Sequence, residues 1–118
     1  MSGQNRDFSE GAEVNAVELE LLHSPVPAEQ VLEGAPTVSA AVLGEFEGRE
    51  VGVWELTPGT VTDVEADELF VVVSGAATVN FLDEDRLEHL APGSVMQLKA
   101  GQRTVWTVTE TLRKVYIA

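Results

Sequence analysis

From Val38 to the C-terminus, short segments rich in Val, Thr, Phe and Trp alternate with clusters of Gly, Pro and Asp, a break falling about every ten residues, which is the pattern of short strands joined by tight turns. The breaks are Glu47-Gly48, Pro58-Gly59, Ser74-Gly75, Asp83-Glu84-Asp85, Pro92-Gly93 and Ala100-Gly101. They predict strands near 38–46, 50–56, 60–65, 68–73, 76–82, 86–90, 94–98, 103–109 and 112–117. None of these segments sustains a helical period. Many short strands with tight turns define an all-β, antiparallel sandwich or barrel and argue against alternating strand and helix units.

The N-terminal part is less regular. Residues 1–13 have the composition of a flexible acidic tail, so the domain is taken as 14–118. Val14–Leu22 alternates loosely and is expected to form an edge strand, broken by Ser24-Pro25-Val26-Pro27. Residues 27–33 are expected to make one or two helical turns, opened by Pro27 and closed by Gly34.

Composition narrows the function classes. The 118-residue chain is one domain, large enough to bury a core without staples. It has no cysteine, hence no disulfide, thiolate metal site or thiol nucleophile. Seven Lys and Arg against twenty Asp and Glu give a net charge of −13, which repels nucleic acid and anionic membranes. No apolar run approaches the roughly 20 residues of a spanning helix, and the N-terminus does not read as a leader, so a cytoplasmic protein is expected.

Two stretches carry a more specific pattern. In Gly59–Gly75, Glu68 stands seven positions before a turn glycine. In Gly93–Val108, Gly93 is followed by Lys99, Gly101 and Thr104 at offsets of six, eight and eleven. This spacing resembles the paired motifs of the cupin superfamily. Adding Trp54 to Gly59, Asp67-Glu68, Ala91-Pro92-Gly93, Trp106 and Arg113-Lys114-Val115-Tyr116, residues 36–118 are similar to small single-domain cupins of the DUF861 type. That group is related to the cupin halves of ureidoglycine aminohydrolase and to a cupin of ethanolamine utilisation. The resemblance implies a double-stranded β-helix, the jelly-roll barrel, and pairing into a homodimer through an N-terminal strand edge, for which Val14–Leu22 or Val38–Phe46 are the candidates.

The resemblance also locates what this chain lacks. Metal cupins place two histidines before the motif glutamate and one in the second motif. Here those places fall within 61–64 and at Thr104, and only Glu68 remains as a ligand. Lys99 replaces the usual Pro and Ser94 the usual Asp. The two histidines, His23 and His89, lie outside both motifs and are expected to be structural or on the surface. No metal cofactor is therefore expected. If one binds, Glu68 and Asp63, with Glu55, are the oxygens on offer, a set that suits Mg or Mn. Otherwise Asp63 and Glu65 are expected to be solvated at a strand edge.

Strand alternation sorts the remaining candidates. If Glu68 points inward, so do Phe70 and Val72; if Thr104 does, so do Trp106 and Val108. Trp54 and Leu56 share a face opposite Glu55, and by resemblance Lys114 and Tyr116 point into the cup. The pocket so drawn has walls of Trp54, Phe70 and Trp106 and polar groups from Glu68, Thr104, Lys114 and Tyr116, which is the character of a small-molecule site. Three functions follow from it. One is a binder of a small polar or anionic metabolite, using Lys114 and Tyr116. Another is a lyase, isomerase or aminohydrolase with Glu68 as acid/base, assisted by Lys114 and Tyr116. The third is a structural or interaction dimer, in which Glu68 and Lys114 form a buried ion pair that closes the barrel.

Overall fold

In the computed structural model, which describes residues 7–118, nine strands and two short 3₁₀ turns form a single curled antiparallel sheet. The strands are β1 (Ser24–Pro25), β2 (Val31–Glu33), β3 (Thr37–Phe46), β4 (Arg49–Leu56), β5 (Gly59–Val64), β6 (Glu68–Phe81), β7 (Arg86–Leu90), β8 (Val95–Leu98) and β9 (Arg103–Ile117). The expected all-β class and most of the expected strand limits are what the structure has.

Two pairs of expected strands are single long ones. Ser74-Gly75 does not end β6, and Glu110-Thr111 does not end β9. The two strands run beside each other over their whole length, and the pairing register shifts three times between Val72 and Ala77. Gly75 permits this. Its φ of +92° suits glycine, and a β-carbon there would lie 2.0 Å from the Thr111 carbonyl oxygen. The glycine read as a turn is a bend where two backbones cross closely.

Each long strand therefore serves both halves of the barrel. The N-terminal half of β9 lies between β5 and β6, pairing Val61 with Trp106 and Asp63 with Thr104. Its C-terminal half lies between β4 and β6, pairing Trp54 with Lys114 and Phe70 with Tyr116. The inward faces of the halves meet in one apolar cluster around Leu56, Phe70, Val79, Leu98, Trp106 and Leu112. At roughly 1.5–3 kcal/mol per buried apolar side chain, this cluster dominates the stability of the fold.

The N-terminal region departs from expectation. Val14–Leu22 forms no strand. It makes a turn in which Asn15 Oδ1 accepts the Val17 and Glu18 N–H groups. The turn is strapped to the barrel by Arg113, whose Nη1 donates to the carbonyls of Ala16, Val17 and Leu19 at 2.9, 3.1 and 2.6 Å. One guanidinium satisfies carbonyls that a strand partner would otherwise take. The expected tail lies partly outside the described residues; Phe8–Glu10 forms a 3₁₀ turn, and the Phe8 ring sits over Gly44. The helical turn expected over 27–33 is a 3₁₀ turn at Ala28–Gln30 followed by β2.

Candidate functional site

The site lies inside the barrel, between the two halves of β9. Lys114 Nζ is 2.7 Å from Glu68 Oε2, and the lysine side chain is only 5% exposed. The ammonium also stands 4.3 Å from the ring centroids of Trp54 and Phe70 and 4.9 Å from that of Trp106. Three aromatic faces and a carboxylate thus surround one cation, the arrangement that favours a desolvated ammonium. The rings pack on one another as well, Trp106 lying 6.0 Å from Trp54 and 5.9 Å from Phe70, both tilted. Glu68 Oε2 is fully enclosed, and the Lys114 ammonium is the polar group it meets.

Next to this pair, Glu65 Oε2 accepts hydrogen bonds from the Thr104 hydroxyl at 2.6 Å and from Trp106 Nε1–H at 3.0 Å. Backbone bonds fix the position of Glu65. Its N–H donates to Gln102 and its carbonyl accepts from Gly101, extending the β5–β9 ladder past the last strand residue. Glu65 is therefore a site residue and not a solvated one, which corrects the expectation. The signal was available: 61, 63 and 65 alternate along one strand, so Val61, Asp63 and Glu65 share the face turned toward Trp106. Asp63, by contrast, is exposed. Burial of its carboxyl group within the mouth, and then the charge of Glu65, nevertheless raise its pKa above the usual aspartate value.

A cavity of about 90 Å³ is lined by Trp54, Val61, Asp63, Glu65 and Trp106, with the Glu68–Lys114 pair at its wall. A second, of about 140 Å³, shares Trp54, Val61 and Asp63 with the first and continues between Val26, Val38 and Leu56. Of the polar groups predicted from the sequence, Glu68 and Lys114 meet as drawn, and Thr104 is buried against Glu65. Tyr116 is buried too, but its hydroxyl donates to Glu50 Oε2 at 2.6 Å. Burial, then that hydrogen bond, raise its pKa far above the usual tyrosine value. Its ring occupies the space above Gly52, where a β-carbon would lie 2.5 Å from the hydroxyl.

Glu55 is not near the cup. Alternation along β4 turns it to the outer face, where Arg113 Nε donates to it at 2.7 Å and His23 contacts its other oxygen. His23 also meets the Thr37 hydroxyl at 2.9 Å, while His89 is exposed on β7. Neither histidine reaches the cavity. Among the described residues, no group of three or more His, Cys, Asp or Glu is disposed to hold a metal ion. The donor set fits a metal poorly on chemical grounds: the one deep carboxylate, Glu68, already faces an ammonium that would repel a cation at that oxygen.

A curled antiparallel sheet of jelly-roll form, with polar groups of the paired motif strands meeting inside it, has the architecture of a cupin. The chain belongs to the family of EutQ-like cupin domains, whose family model matches residues 43–116. No curated protein matches the chain. Among solved structures it is similar to a protein of unknown function of the DUF861 family from Pseudomonas syringae pv. tomato, at 21% identity and a TM-score of 0.74 over 88% of this chain and 46% of that one. The chain thus spans under half the length of that protein. It is also similar to a putative ethanolamine utilization protein Q from Salmonella typhimurium, at 14% identity, a TM-score of 0.61 and coverage of 84% and 94%. The Clostridium difficile EutQ protein matches at 20% identity with a TM-score of 0.58, over 70% of this chain and 61% of that one.

Proposed function

We propose that this cupin binds a small polar metabolite in its barrel cavity, without a histidine-ligated metal. The observation that carries this is the place of Lys114. Its ammonium fills the aromatic cage and faces Glu68, where a metal cupin would gather ligands around an ion. The remaining space is small, walled by tryptophan and edged by carboxylates, which suits a compact polar ligand. The anionic ligand expected from Lys114 and Tyr116 has less support, because Lys114 is engaged by Glu68 and Tyr116 donates to Glu50. The acidic, cysteine-free composition supports a cytoplasmic setting.

A second reading, an enzyme with Glu68 as acid/base, draws on the place of the Glu68 carboxylate in the cavity wall beside Lys114. A metabolite screen with wild type and Glu68→Gln separates the two. Binding of a metabolite that is recovered unchanged supports the binder. Turnover by the wild type that Glu68→Gln abolishes supports the enzyme, and turnover unchanged in the variant removes Glu68 from catalysis.

A homodimer belongs to the same proposal. β1 pairs with β3 only at Thr37 and Val38, so from Ser39 to Phe46 that strand has a strand partner on one side alone. Val42 and Phe46 on it are 62% and 63% exposed, and such an edge invites pairing with a second copy. A monomeric mass in solution would refute the dimer.

A further inference from the structure

We infer that residues 26–36 are a lid on this cavity, swinging about a neck at Val26 and Pro36 to let a ligand reach Trp54. The inference deepens the binding function proposed above and rests on it. It starts from size. The two adjoining spaces, of about 90 and 140 Å³, are each well below the roughly 300–1,000 Å³ of a small-molecule pocket. Entry of a metabolite therefore requires a wall to move. Most of the walls are held in the sheet. Val38 lies on β3, and Trp54 and Leu56 lie on β4, which is paired between β3 and β9. Val61 and Asp63 lie on β5, every residue of which is paired with β9. The remaining wall is made by Val26 and Gln30, from the segment that joins β1 to β2.

This segment is fastened at its ends and slack between them. At the neck, the Val26 N–H donates to the Pro36 carbonyl at 3.1 Å, which brings the two ends together as in an Ω-loop. Pro36 is fully buried, and its ring packs on Gly59 so closely that a β-carbon there would lie 2.8 Å away. Just before the neck, His23 meets Glu55 and Thr37. From Pro27 to Ala35, by contrast, no residue is buried, and only Gln30 and Val31 are half-buried. β2 holds to β5 by two pairs, Val31 with Val61 and Glu33 with Thr60, with a register break between them. The loop also borders a space of about 420 Å³ lined by its own residues between Pro25 and Thr37, so its centre is not packed. Few buried side chains and a short, irregular ladder mark a unit that opens locally while the barrel stays folded.

The chain has no cysteine, so a lock can be introduced without competing thiols. Glu33→Cys with Thr60→Cys places two thiols opposite each other across β2 and β5, within reach of a disulfide and clear of the cavity lining. The oxidised protein has its lid locked, and the reduced protein is the matched control. Acrylamide, a small neutral quencher of tryptophan fluorescence, probes access to Trp54 and Trp106 without any ligand. We expect oxidation to lower the Stern–Volmer slope by about twofold or more. In the wild type, methyl relaxation dispersion should show microsecond-to-millisecond exchange at Val31 and Val61, and none at Val53 and Val79, which are fully buried in paired strands. Equal quenching of the oxidised and reduced proteins would overturn the lid, as would flat dispersion at Val31 and Val61. If the metabolite screen finds no ligand while oxidation still slows quenching, the binding function falls and the moving lid stands. If a metabolite enters the oxidised protein as fast as the reduced one, the lid falls and the binding function stands.

Discussion

Lys114 Nζ and Glu68 Oε2 stand 2.7 Å apart inside the barrel, on β9 and β6, the two long strands that cross at Gly75. Because the lysine side chain is almost wholly buried, its charge has no alternative partner in water. Removing one member leaves the other uncompensated. Lys114→Met is expected to lower stability by about 2–3 kcal/mol, somewhat below the fully buried case because 19% of the Glu68 side chain meets solvent. Glu68→Leu combined with Lys114→Met should recover most of that loss, since an apolar pair of similar volume suits the aromatic cage. Urea unfolding of the three proteins checks this. A single variant as stable as the wild type would show that the pair is not energetically coupled.

Tyr116 is the chain's one tyrosine, which makes it directly observable. Its ordinary pKa is 10.0, and burial followed by the Glu50 carboxylate raises it in the folded state. A raised folded value means that Tyr116 supports the fold fully below the unfolded value of 10.0 and withdraws that support as pH rises beyond it. Phenolate absorbance should therefore appear only as the protein unfolds in alkali, and Glu50→Gln should let it appear earlier. Ionisation near the free-tyrosine value in folded protein would contradict the buried Tyr116–Glu50 bond.

Glu55 has the opposite sign. Desolvation raises its pKa, but the hydrogen bond from Arg113, then that from His23, outweigh it, so the folded value lies below 4.5. Its stabilisation is present above 4.5 and is lost as pH falls through the folded value. Glu55→Gln is expected to cost about 1–3 kcal/mol at neutral pH, the scale of a charge-assisted bond, and to flatten the loss of stability on acidification. Denaturant unfolding of both proteins from neutral pH into the acid range measures it, and parallel curves would refute it. Asp63 contributes in the reverse direction. Burial and then Glu65 raise its value, so its charge costs stability once pH has risen through that value. Asp63→Asn should leave neutral-pH stability unchanged or slightly improved, which the same denaturant unfolding measures.

Much of this arrangement was legible in the chain. The punctuation by glycine and proline located most strand ends, because turns need specific backbone conformations that few residues supply. Period-two alternation placed Trp54, Phe70 and Trp106 on the inward face and Glu55 on the outward one, since a strand cannot present both neighbours to the same side. Long-range geometry escaped. Nothing local to Ser74-Gly75 distinguishes a turn from the crossing of two long strands, which depends on Thr111 more than thirty residues away. Nor does the composition of Val14–Leu22 reveal that its carbonyls go to Arg113 near the C-terminus. Glu65 was overlooked as a site residue although alternation from Val61 placed it correctly; its role depends on donors from β9. The pairing of Tyr116 with Glu50 follows from the registers of β4 and β9, which no single segment encodes.

The central claim is that an ammonium, Lys114, stands against Glu68 where metal cupins hold an ion. Elemental analysis of untagged protein, purified without chelators and after incubation with Mn, Fe, Ni and Zn salts, tests it most directly. The account predicts no stoichiometric metal under either condition, with Lys114→Ala the variant in which weak binding could first emerge. One equivalent of any of these metals retained by the wild-type chain and lost in Glu68→Gln would contradict it.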